Sequence, residues 1–233
     1  MNQIKDFNKS EVLIILPAYN EGQIIHKVLE SIKSEGYYNI CVVDDGSNDQ
    51  TAKEVLKSNV QLLQHPINRG AGAAVQTGIA FAKKRSFEYA ILMDSDGQHM
   101  PEDIEELYLK MQDSNADIVI GNRFSLKKNV VPRHRIAYNR MANIFTNIFC
   151  KRSYNDTQSG FRLLNRKSIE MIQLKNRGFG FCSEMLIFAE KANLRVEETP
   201  IQVLYTDYSL NKGQNLMEGV RTARSILWQV FFE

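Results

Sequence analysis

The sequence contains few cysteines, little net charge and no long apolar run. Its three cysteines, Cys41, Cys150 and Cys182, are scattered and odd in number, so neither a disulfide framework nor a zinc site is expected. The net charge of +2 indicates neither nucleic acid nor a membrane surface as the binding partner. No apolar run approaches the roughly 20 residues that cross a bilayer, and the N-terminus lacks the apolar core of a signal peptide. These absences favour a protein of the reducing cytoplasm that is soluble or peripheral to a membrane.

The chain instead contains alternating strand and helix patterns, and hydrophobic residues make up 43% of it. Strands are predicted at 12–16, ending at Pro17, and at 40–43, 60–63, 89–93, 118–120 and 161–164, with an extended stretch at 195–205. Helices are predicted at 24–32, 51–56, 70–82, 101–111, 137–150, 184–192 and 214–232. This order predicts an α/β fold with a Rossmann-like, mostly parallel central sheet and helices on both faces. Because no linker or repeat interrupts it, residues 1–233 are expected to form a single domain.

The segment 91–99, Ile-Leu-Met-Asp-Ser-Asp-Gly-Gln-His, is the most informative stretch of the chain. Its apolar run ends in Asp94 and Asp96, followed by Gln98 and His99, at the carboxyl end of a strand, where open α/β sheets bind ligands. Oxygen ligands of this kind suit Mg²⁺ or Mn²⁺, and Mg²⁺ is typically held by one or two carboxylates together with substrate phosphates. The pattern therefore indicates a metal-bridged phosphate ligand, although Asp and Gly are also ordinary turn residues.

Polar clusters follow each of the first five predicted strands. They lie at 17–21, 44–49, 68–70, 94–98 and 121–123. In a parallel sheet these clusters gather at one edge, and each alone is compatible with turn chemistry. Together they predict a nucleotide pocket, because carboxylates accept hydrogen bonds from base or ribose and arginines offset phosphate charge.

These clusters resemble the motifs of family-2 glycosyltransferases with the GT-A fold. The matching segments are L-P-A-Y-N-E at 16–21, V-V-D-D-G-S at 42–47, N-R-G at 68–70, D-S-D-G-Q-H at 94–99, G-N-R-F at 121–124, D-T-Q-S-G-F-R at 156–162 and S-E-M-L at 183–186. Within the family the chain is most similar to dolichol-phosphate mannose synthases and bacterial polyprenyl-phosphate glycosyltransferases. The resemblance implies a nucleotide-sugar-binding half at about 11–124 and an acceptor-side half at about 125–233, which ends in an amphipathic helix.

The resemblance also implies roles for individual residues of the donor half. Asp45 accepts a hydrogen bond from a ring N–H of the base, and Asp94 lies near the ribose and the metal. The metal ligands, for Mg²⁺ or Mn²⁺, are Asp94, Asp96 and Gln98. The implied substrate-binding residues are Pro17, Tyr19, Asn20, Glu21, Val43, Asp45, Arg69, Asp94, Ser95, Asn139 and Lys212.

The implied catalytic residues are Asp96, Arg123, Arg135 and Glu184. Arg123 approaches the phosphates or the acceptor, and Arg135 with Asn139 falls where the synthases bind the acceptor phosphate. A phosphate acceptor is already nucleophilic at neutral pH, because its second pKa is near 6. A sugar hydroxyl needs a general base, for which Glu184 is the leading candidate.

Several assignments keep a structural alternative. Glu184 is alternatively a buried glutamate paired with Arg162 or Lys191, and Arg162 is alternatively a structural residue paired with a carboxylate. His99 and His134 are weaker candidates for a base, and His99 is better placed behind the metal ligands.

Two parts of the chain point to a membrane or to a second subunit. Ile144, Phe145, Ile148 and Phe149 form an apolar helical stripe beside Arg133, Arg135 and Arg140, which suits a lipid phosphate or an ordinary core helix. The apolar tail at 226–233 predicts peripheral membrane contact or dimerisation through the C-terminal helix. The sequence also departs from the synthases, which have an arginine where this chain has Thr206; Lys212 is the substitute cation. The membrane-spanning C-terminal helices of many relatives are not expected.

We therefore expect an inverting, metal-dependent glycosyltransferase that acts in the cytoplasm or on the inner face of the cell membrane. The donor is a nucleoside-diphosphate sugar, and the acceptor is a polyprenyl phosphate such as undecaprenyl or dolichyl phosphate. The alternatives are transfer to a saccharide hydroxyl in cell-surface polysaccharide synthesis and a non-catalytic nucleotide-sugar-binding module. A nucleotidyltransferase is disfavoured because its first loop is usually glycine-rich and basic, whereas the loop at 17–21 is acidic.

Overall fold

A computed structural model of the chain describes residues 7–126, 129, 131, 133–206 and 208, with the side chains of 133 and 134 left out. Its strands are β1 (Val12–Ala18), β2 (Ile40–Asp44), β3 (Gln61–Gln64), β4 (Tyr89–Leu92), β5 (Ile118–Asn122), β6 (Arg162–Asn165) and β7 (Val196–Pro200). A 3-10 helix at Lys9–Glu11 precedes α1 (Ile25–Ser34), α2 (Thr51–Lys57), α3 (Ala71–Lys84), α4 (Asp103–Ser114), α5 (Arg133–Asn147), α6 (Arg166–Met171) and α7 (Phe181–Lys191). The predicted helix at 214–232 and Lys212 lie outside the described residues.

The described strands form one sheet in the order β3-β2-β1-β4-β6-β5-β7. All neighbours are parallel except β6, which is antiparallel to both β4 and β5. The prediction of a mostly parallel sheet is therefore confirmed. Because β6 runs in reverse, it begins at the edge where β4 and β5 end, and the loop that precedes it reaches the same edge as the predicted polar clusters.

Helices cover both faces of the sheet because the strand side chains alternate between two cores. From β1, Ile14 and Leu16 pack with α1 and α4, whereas Leu13 and Ile15 pack with α3 and α7. The small residues of α3 allow a close approach to the sheet, since a Cβ on Gly78 would lie 3.3 Å from Ile15 Cβ. The two cores fix the direction of the strands and so position the loops at the carboxyl edge.

The prediction that the first strand stops at Pro17 is wrong, because β1 continues to Ala18. Alternate residues of a parallel strand direct their backbone groups to the same neighbour. The Ile15 carbonyl accepts from Met93 N–H and the Pro17 carbonyl accepts from the Ser95 hydroxyl at 2.7 Å, both on the β4 side. The backbone of residue 17 therefore also faces the β4 side. Because β4 ends at Leu92, no strand residue is left there to accept a hydrogen bond from an N–H at position 17, and a proline fits.

Predicted helix boundaries are wrong by three or more residues at both ends of α5, at the start of α7 and at the end of α4, which extends to Ser114 rather than 111. Helix α5 begins four residues before the predicted position 137 and ends at Asn147, and α7 begins at Phe181 rather than 184. Helix α6 was not predicted, although Asn165 caps it by accepting a hydrogen bond from Ser168 N–H at 2.9 Å. In the part of the chain that the structure describes, no helix has both the length and the apolarity needed to cross a membrane.

Candidate functional site

The loops after the first four strands meet at the carboxyl edge of the sheet, as the clustered polar residues predict. Asn20 N–H donates to the Ser47 hydroxyl at 2.9 Å, and Asn48 N–H donates back to the Asn20 carboxamide at 2.9 Å. Asn20 itself has a left-handed backbone (φ 55°). The hydroxyl of Ser95 joins the fourth loop to Pro17, and the structure thus brings the 17–21, 44–48 and 94–98 segments together.

The first loop is held in place at Glu21, through both the backbone and the side chain of that residue. Glu21 is buried, and its N–H donates to the Thr51 hydroxyl at 2.8 Å. Its carboxylate accepts a hydrogen bond from the Tyr208 hydroxyl at 2.7 Å, across most of the chain length. The neighbouring Tyr19 is 41% exposed and Pro17 is half-buried, so both present surface at the edge.

Asp45 is a buried anchor for the third loop. One of its oxygens, Oδ1, accepts from Arg69 N–H at 2.9 Å and contacts His65 Nδ1 at 2.6 Å, while Oδ2 accepts from Gly70 N–H at 2.6 Å. Val43, two residues earlier, lies in the core with no exposed surface, whereas the Arg69 side chain is exposed. Asp45 and Arg69 are therefore adjacent at the edge, whereas the predicted binding residue Val43 has its side chain in the core.

A tight turn carries the predicted metal ligands. Gly97 adopts a left-handed conformation (φ 75°), which lets Gln98 N–H donate to Asp96 Oδ1 at 3.0 Å. The Gln98 side-chain amide also donates to Asp96 Oδ2, and its Oε1 accepts from Arg135 at 3.4 Å. The structure therefore brings the predicted ligands Asp96 and Gln98 into contact with the predicted acceptor residue Arg135.

The electrostatics of the turn fit a cation. The side chain of Asp94 is 43% exposed, but the protein atoms around its carboxylate displace water and raise its pKa. The positive charges of Arg123 and Arg162 lower this pKa and offset only part of the rise. The pKa of Asp96 is also raised, first by burial and then by the negative charge of Asp94. Among the described residues no group of three or more carboxylates, histidines or cysteines could hold a metal alone. Two carboxylates and a carboxamide suit a site that substrate phosphates complete.

His99 supports this turn from inside the protein. Its buried ring is stacked on Phe161, with a centroid distance of 4.9 Å, and its Nδ1 accepts from Asp94 N–H at 3.2 Å. Burial lowers the pKa of His99 to about 4, so the imidazole is neutral with its proton on Nε2, which lies 3.7 Å from Asp94 Oδ2. This geometry positions Asp94.

Arg123 is paired with a carboxylate that the sequence interpretation did not single out. Its guanidinium donates to Asp156 at 2.7 and 2.8 Å, and its N–H donates to the same carboxylate at 2.9 Å. Burial opposes the charge of Arg123, but Asp156, which is fully buried, raises the pKa of Arg123 overall. The only sequence feature that points to Asp156 is its position at the start of the D-T-Q-S-G-F-R segment, which does not indicate a partner for Arg123.

Arg162 and Glu184 both make structural contacts with backbone groups. Arg162 is fully buried and donates to the carbonyls of Thr157, Ser159 and Cys182, each at 2.9 Å, rather than to the carboxylate that was expected. The Glu184 carboxylate accepts from the N–H groups of Lys175 and Asn176 at 2.8 and 2.9 Å. It thereby fixes the loop that precedes α7.

A strap formed by residues 201–206 crosses the site, although the sequence indicated only an extended stretch there. Leu204 N–H donates to the Gln98 carbonyl at 3.0 Å, and Val203 forms an antiparallel bridge with His99. Asn129, which carried no signal in the sequence, donates to the carbonyls of Arg123 and Ile201 at 2.8 Å. The strap therefore connects the turn with the predicted metal ligands to the loop after β5.

The acceptor-side residues lie along α5. Arg135 is half-buried, and its guanidinium lies 5.3 Å from the ring centre of Tyr205 in the strap. Asn139 lies one turn further along the helix and is also half-buried. The side chains of Arg133 and His134 fall outside the described part of the structure. Of the predicted stripe, Ile144 and Ile148 are exposed, whereas Phe145 and Phe149 are half-buried and pack edge to face.

Sequence comparisons relate the chain to known proteins. Residues 13–172 match the family described as Glycosyl transferase family 2. The chain is 36% identical to an uncharacterised protein of Methanocaldococcus jannaschii over 99% of this chain and 97% of that protein. It is 32% identical to the UDP-N-acetylglucosamine–dolichyl-phosphate N-acetylglucosaminyltransferase of Methanococcus voltae, over 90% and 92% of the two chains.

A solved structure resembles the fold at low identity. It is the glucosyl-3-phosphoglycerate synthase of Mycobacterium tuberculosis in complex with Mn²⁺, UDP-glucose and phosphoglyceric acid. The TM-score is 0.69 and the identity 17%, with 96% of this chain and 82% of that chain covered. The expected GT-A fold is thus confirmed.

Proposed function

Since the chain belongs to glycosyl transferase family 2 and is a glycosyltransferase, we propose that it moves a sugar from a nucleoside-diphosphate sugar to a polyprenyl phosphate with inversion at the anomeric carbon. The observation that carries the proposal is the contact of Arg135 with the Asp96–Gln98 turn, which joins a diphosphate site to a phosphate-binding cation. The curated relative from Methanococcus voltae is named for a dolichyl-phosphate acceptor, which supports the same acceptor class.

The donor would bind where the first three loops meet. The nucleoside would lie on Pro17, Tyr19, Asn20, Glu21, Val43, Asp45, Arg69, Asp94 and Ser95. Of these, Tyr19 and Arg69 have exposed side chains for the ligand, and Asp45 retains acceptor capacity on Oδ2, which has one protein partner in the described chain. The support is that these loops are already fixed to each other by short hydrogen bonds.

A divalent cation would be held by Asp94, Asp96 and Gln98. When bound, Mg²⁺ or Mn²⁺ would supply positive charge next to the departing diphosphate. The raised pKa values of the two carboxylates support this assignment: burial disfavours the charged form of both, the charge of Asp94 adds to the shift at Asp96, and a bound cation would favour the charged form of each. Gln98 would then release the carboxylate of Asp96, and Arg135 would be freed to contact the acceptor.

The hydrogen bonds that the candidate bases Glu184 and His99 already make favour a phosphate acceptor, which needs no base. A phosphate monoester is largely ionised at neutral pH, because its second pKa is about 6, and needs no base. The Glu184 carboxylate is already engaged by two backbone N–H groups, and His99 uses Nδ1 to hold Asp94. A sugar hydroxyl would require one of these groups to change its contacts.

The surface of α5 supports an acceptor that resides in a membrane. Helix α5 begins beside the proposed metal-binding turn, and its outer face exposes Met141 by 65% and Ile144 by 60%, while Ile148, directly after its end, is 70% exposed. Arg140, also exposed, lies next to them. An apolar face with a basic rim is typical of helices that lie in a membrane interface. We therefore propose peripheral contact with the inner face of the cell membrane through α5; the contribution of the C-terminal helix lies outside the described residues.

The test is product identification with the full chain. UDP- and GDP-sugars are offered with undecaprenyl or dolichyl phosphate and Mn²⁺, and the lipid product is identified by mass and by the anomeric coupling in its NMR spectrum. A lipid-phosphate sugar of inverted configuration is expected. Transfer only to saccharide hydroxyls, or equal turnover in excess chelator, would contradict the proposal.

A further inference from the structure

A buried chain of three side chains lies behind the proposed nucleoside pocket. His65 is 8% exposed and contacts Asp45 Oδ1 through Nδ1 at 2.6 Å and the Thr77 hydroxyl through Nε2 at 2.9 Å. Asp45 follows β2, His65 follows β3 and Thr77 lies in α3. The imidazole therefore links the ends of two strands to the helix that follows them.

The contacts of Asp45 leave a defined place for a ligand. Each carboxylate oxygen accepts about two hydrogen bonds in its plane. In the described structure Oδ1 is filled by His65 and Arg69 N–H, while Oδ2 receives Gly70 N–H alone. Without the His65 bond, the carboxylate could rotate and use the second position of Oδ2 within the protein. Together with the two backbone N–H groups, the imidazole thus holds the carboxylate in the orientation that leaves this acceptor position open.

Thr77 is not a nucleophile in this arrangement, despite the order Asp-His-Thr. Its hydroxyl donates to the Ala73 carbonyl one helical turn earlier at 3.0 Å. The same oxygen lies 2.9 Å from His65 Nε2, and which of the two atoms donates depends on the tautomer of the ring. The threonine therefore holds the ring plane against α3, and the ring in turn holds Asp45.

The surrounding backbone leaves little room for the loop to adjust. Gly46 has φ 72°, and a Cβ there would lie 2.7 Å from Asn68 N. The loop after β2 thus touches the loop that carries His65 and Arg69 directly. Small rotations of Asp45 are consequently decided by side-chain contacts rather than by movement of the backbone.

We propose that His65 is a positioning residue for donor binding, which acts by orienting Asp45 toward the nucleobase. This inference rests on the proposed function, in which Asp45 lies at the nucleoside. His65 does not touch the reacting atoms, so its loss weakens donor binding and leaves the rate at saturating donor unchanged.

Four variants separate the two contacts of the ring. His65→Leu removes both. His65→Asn keeps an N–H close to the position of Nδ1, and His65→Gln keeps one close to the position of Nε2. Thr77→Val removes the helix contact and preserves the side-chain shape. Binding of UDP and of GDP with Mn²⁺ is measured by calorimetry, followed by donor and acceptor KM, kcat and Tm.

His65→Leu is expected to raise the Kd of the nucleotide and the donor KM by about ten-fold, as for loss of one hydrogen bond to a charged group. The acceptor KM and kcat should stay the same, and His65→Asn should recover most of the affinity while His65→Gln should not. Thr77→Val should give a smaller loss than His65→Leu.

Two results overturn the positioning role alone: His65→Leu binds nucleotide as the wild type does, or His65→Asn is as weak as His65→Leu while both keep the wild-type Tm. If the wild-type protein binds neither UDP nor GDP, the proposed function fails together with the inference.

Discussion

The donor side and the acceptor side of the site are built from different contacts. On the donor side, Asp45 takes hydrogen bonds from two backbone N–H groups and Asn20 is locked to the adjoining loop at both ends. On the acceptor side, Asp96 takes one backbone N–H, from Gln98, but the Gln98 carboxamide contacts Asp96 and Arg135 through side chains alone, and its contact with Arg135 is 3.4 Å long. Backbone contacts fix a pocket before the ligand arrives, whereas side-chain contacts can be exchanged for ligand contacts. The proposed donor pocket is therefore held mainly by contacts that persist without a ligand, whereas the contact of Gln98 with Arg135 is of the kind that a ligand can replace.

The largest effect expected within this comparison is that of Asp96→Ala. Loss of the carboxylate removes a metal ligand at the side expected to rearrange, so transfer should fall by at least about 100-fold, as when a group that stabilises developing charge is lost. The Tm should stay close to the wild-type value, because Asp96 lies at the edge and leaves the core intact. Turnover assays, with circular dichroism as the control for folding, check this; substantial turnover by the variant would exclude Asp96 from the metal site.

Asp156→Asn is expected mainly to lower the free energy of unfolding. The substitution leaves the buried charge of Arg123 uncompensated, which typically costs about 3–5 kcal/mol. Denaturant unfolding measures the loss. As a control, the double variant Arg123→Met with Asp156→Leu removes both charges and should recover much of the stability; an Asp156→Asn protein as stable as the wild type would mean that the pair is not closed in solution.

Arg135→Glu tests the acceptor side directly. Reversing the charge should raise the KM for detergent-solubilised polyprenyl phosphate by about ten-fold or more, because hydrogen bonds to charged groups contribute about 1.5–3 kcal/mol. The donor KM should change little. Arg85→Glu is the matched control, since Arg85 is exposed beside Phe81 at the end of α3, far from the carboxyl edge. An unchanged acceptor KM would remove Arg135 from the acceptor site.

The smallest effect is expected from replacing Met141 and Ile148 by serine together. Both are exposed, so stability should be nearly unchanged, whereas binding to anionic phospholipid vesicles should fall by up to about ten-fold, since apolar contact drives interfacial binding. Leu56→Ser on α2 is the control, because Leu56 is 69% exposed on a different surface. If both proteins bind vesicles equally, α5 does not contact the membrane.

The sequence predicted those features of the fold that depend on local patterns. The strands, the α/β class and the contact of Asp96 with Gln98 follow from apolar periodicity and from closely spaced residues. The reversed β6 was not predictable, because parallel and antiparallel pairing is decided by distant partners. For the same reason the sequence did not indicate that Asp156 would pair with Arg123 or that Asn129 would hold the strap. The role of Glu184 could not be predicted for a different reason. Its partners are backbone N–H groups, which almost every residue has, so the residue types in the sequence do not reveal them.

The insertion of β6 between β4 and β5 has a consequence for how the protein folds. In the sheet order, β5 reaches β4 only through β6. A fragment ending near residue 124 would contain β4 and β5 with no strand between them, and the edge of β4 would stay unpaired. Ile91 and Leu163, which are register partners, must find each other across a long intervening chain. Closing such a loop costs entropy before the contact forms, which slows folding. The two functional halves should therefore mature together, and neither half should be expected to refold or to be expressed as an independent unit.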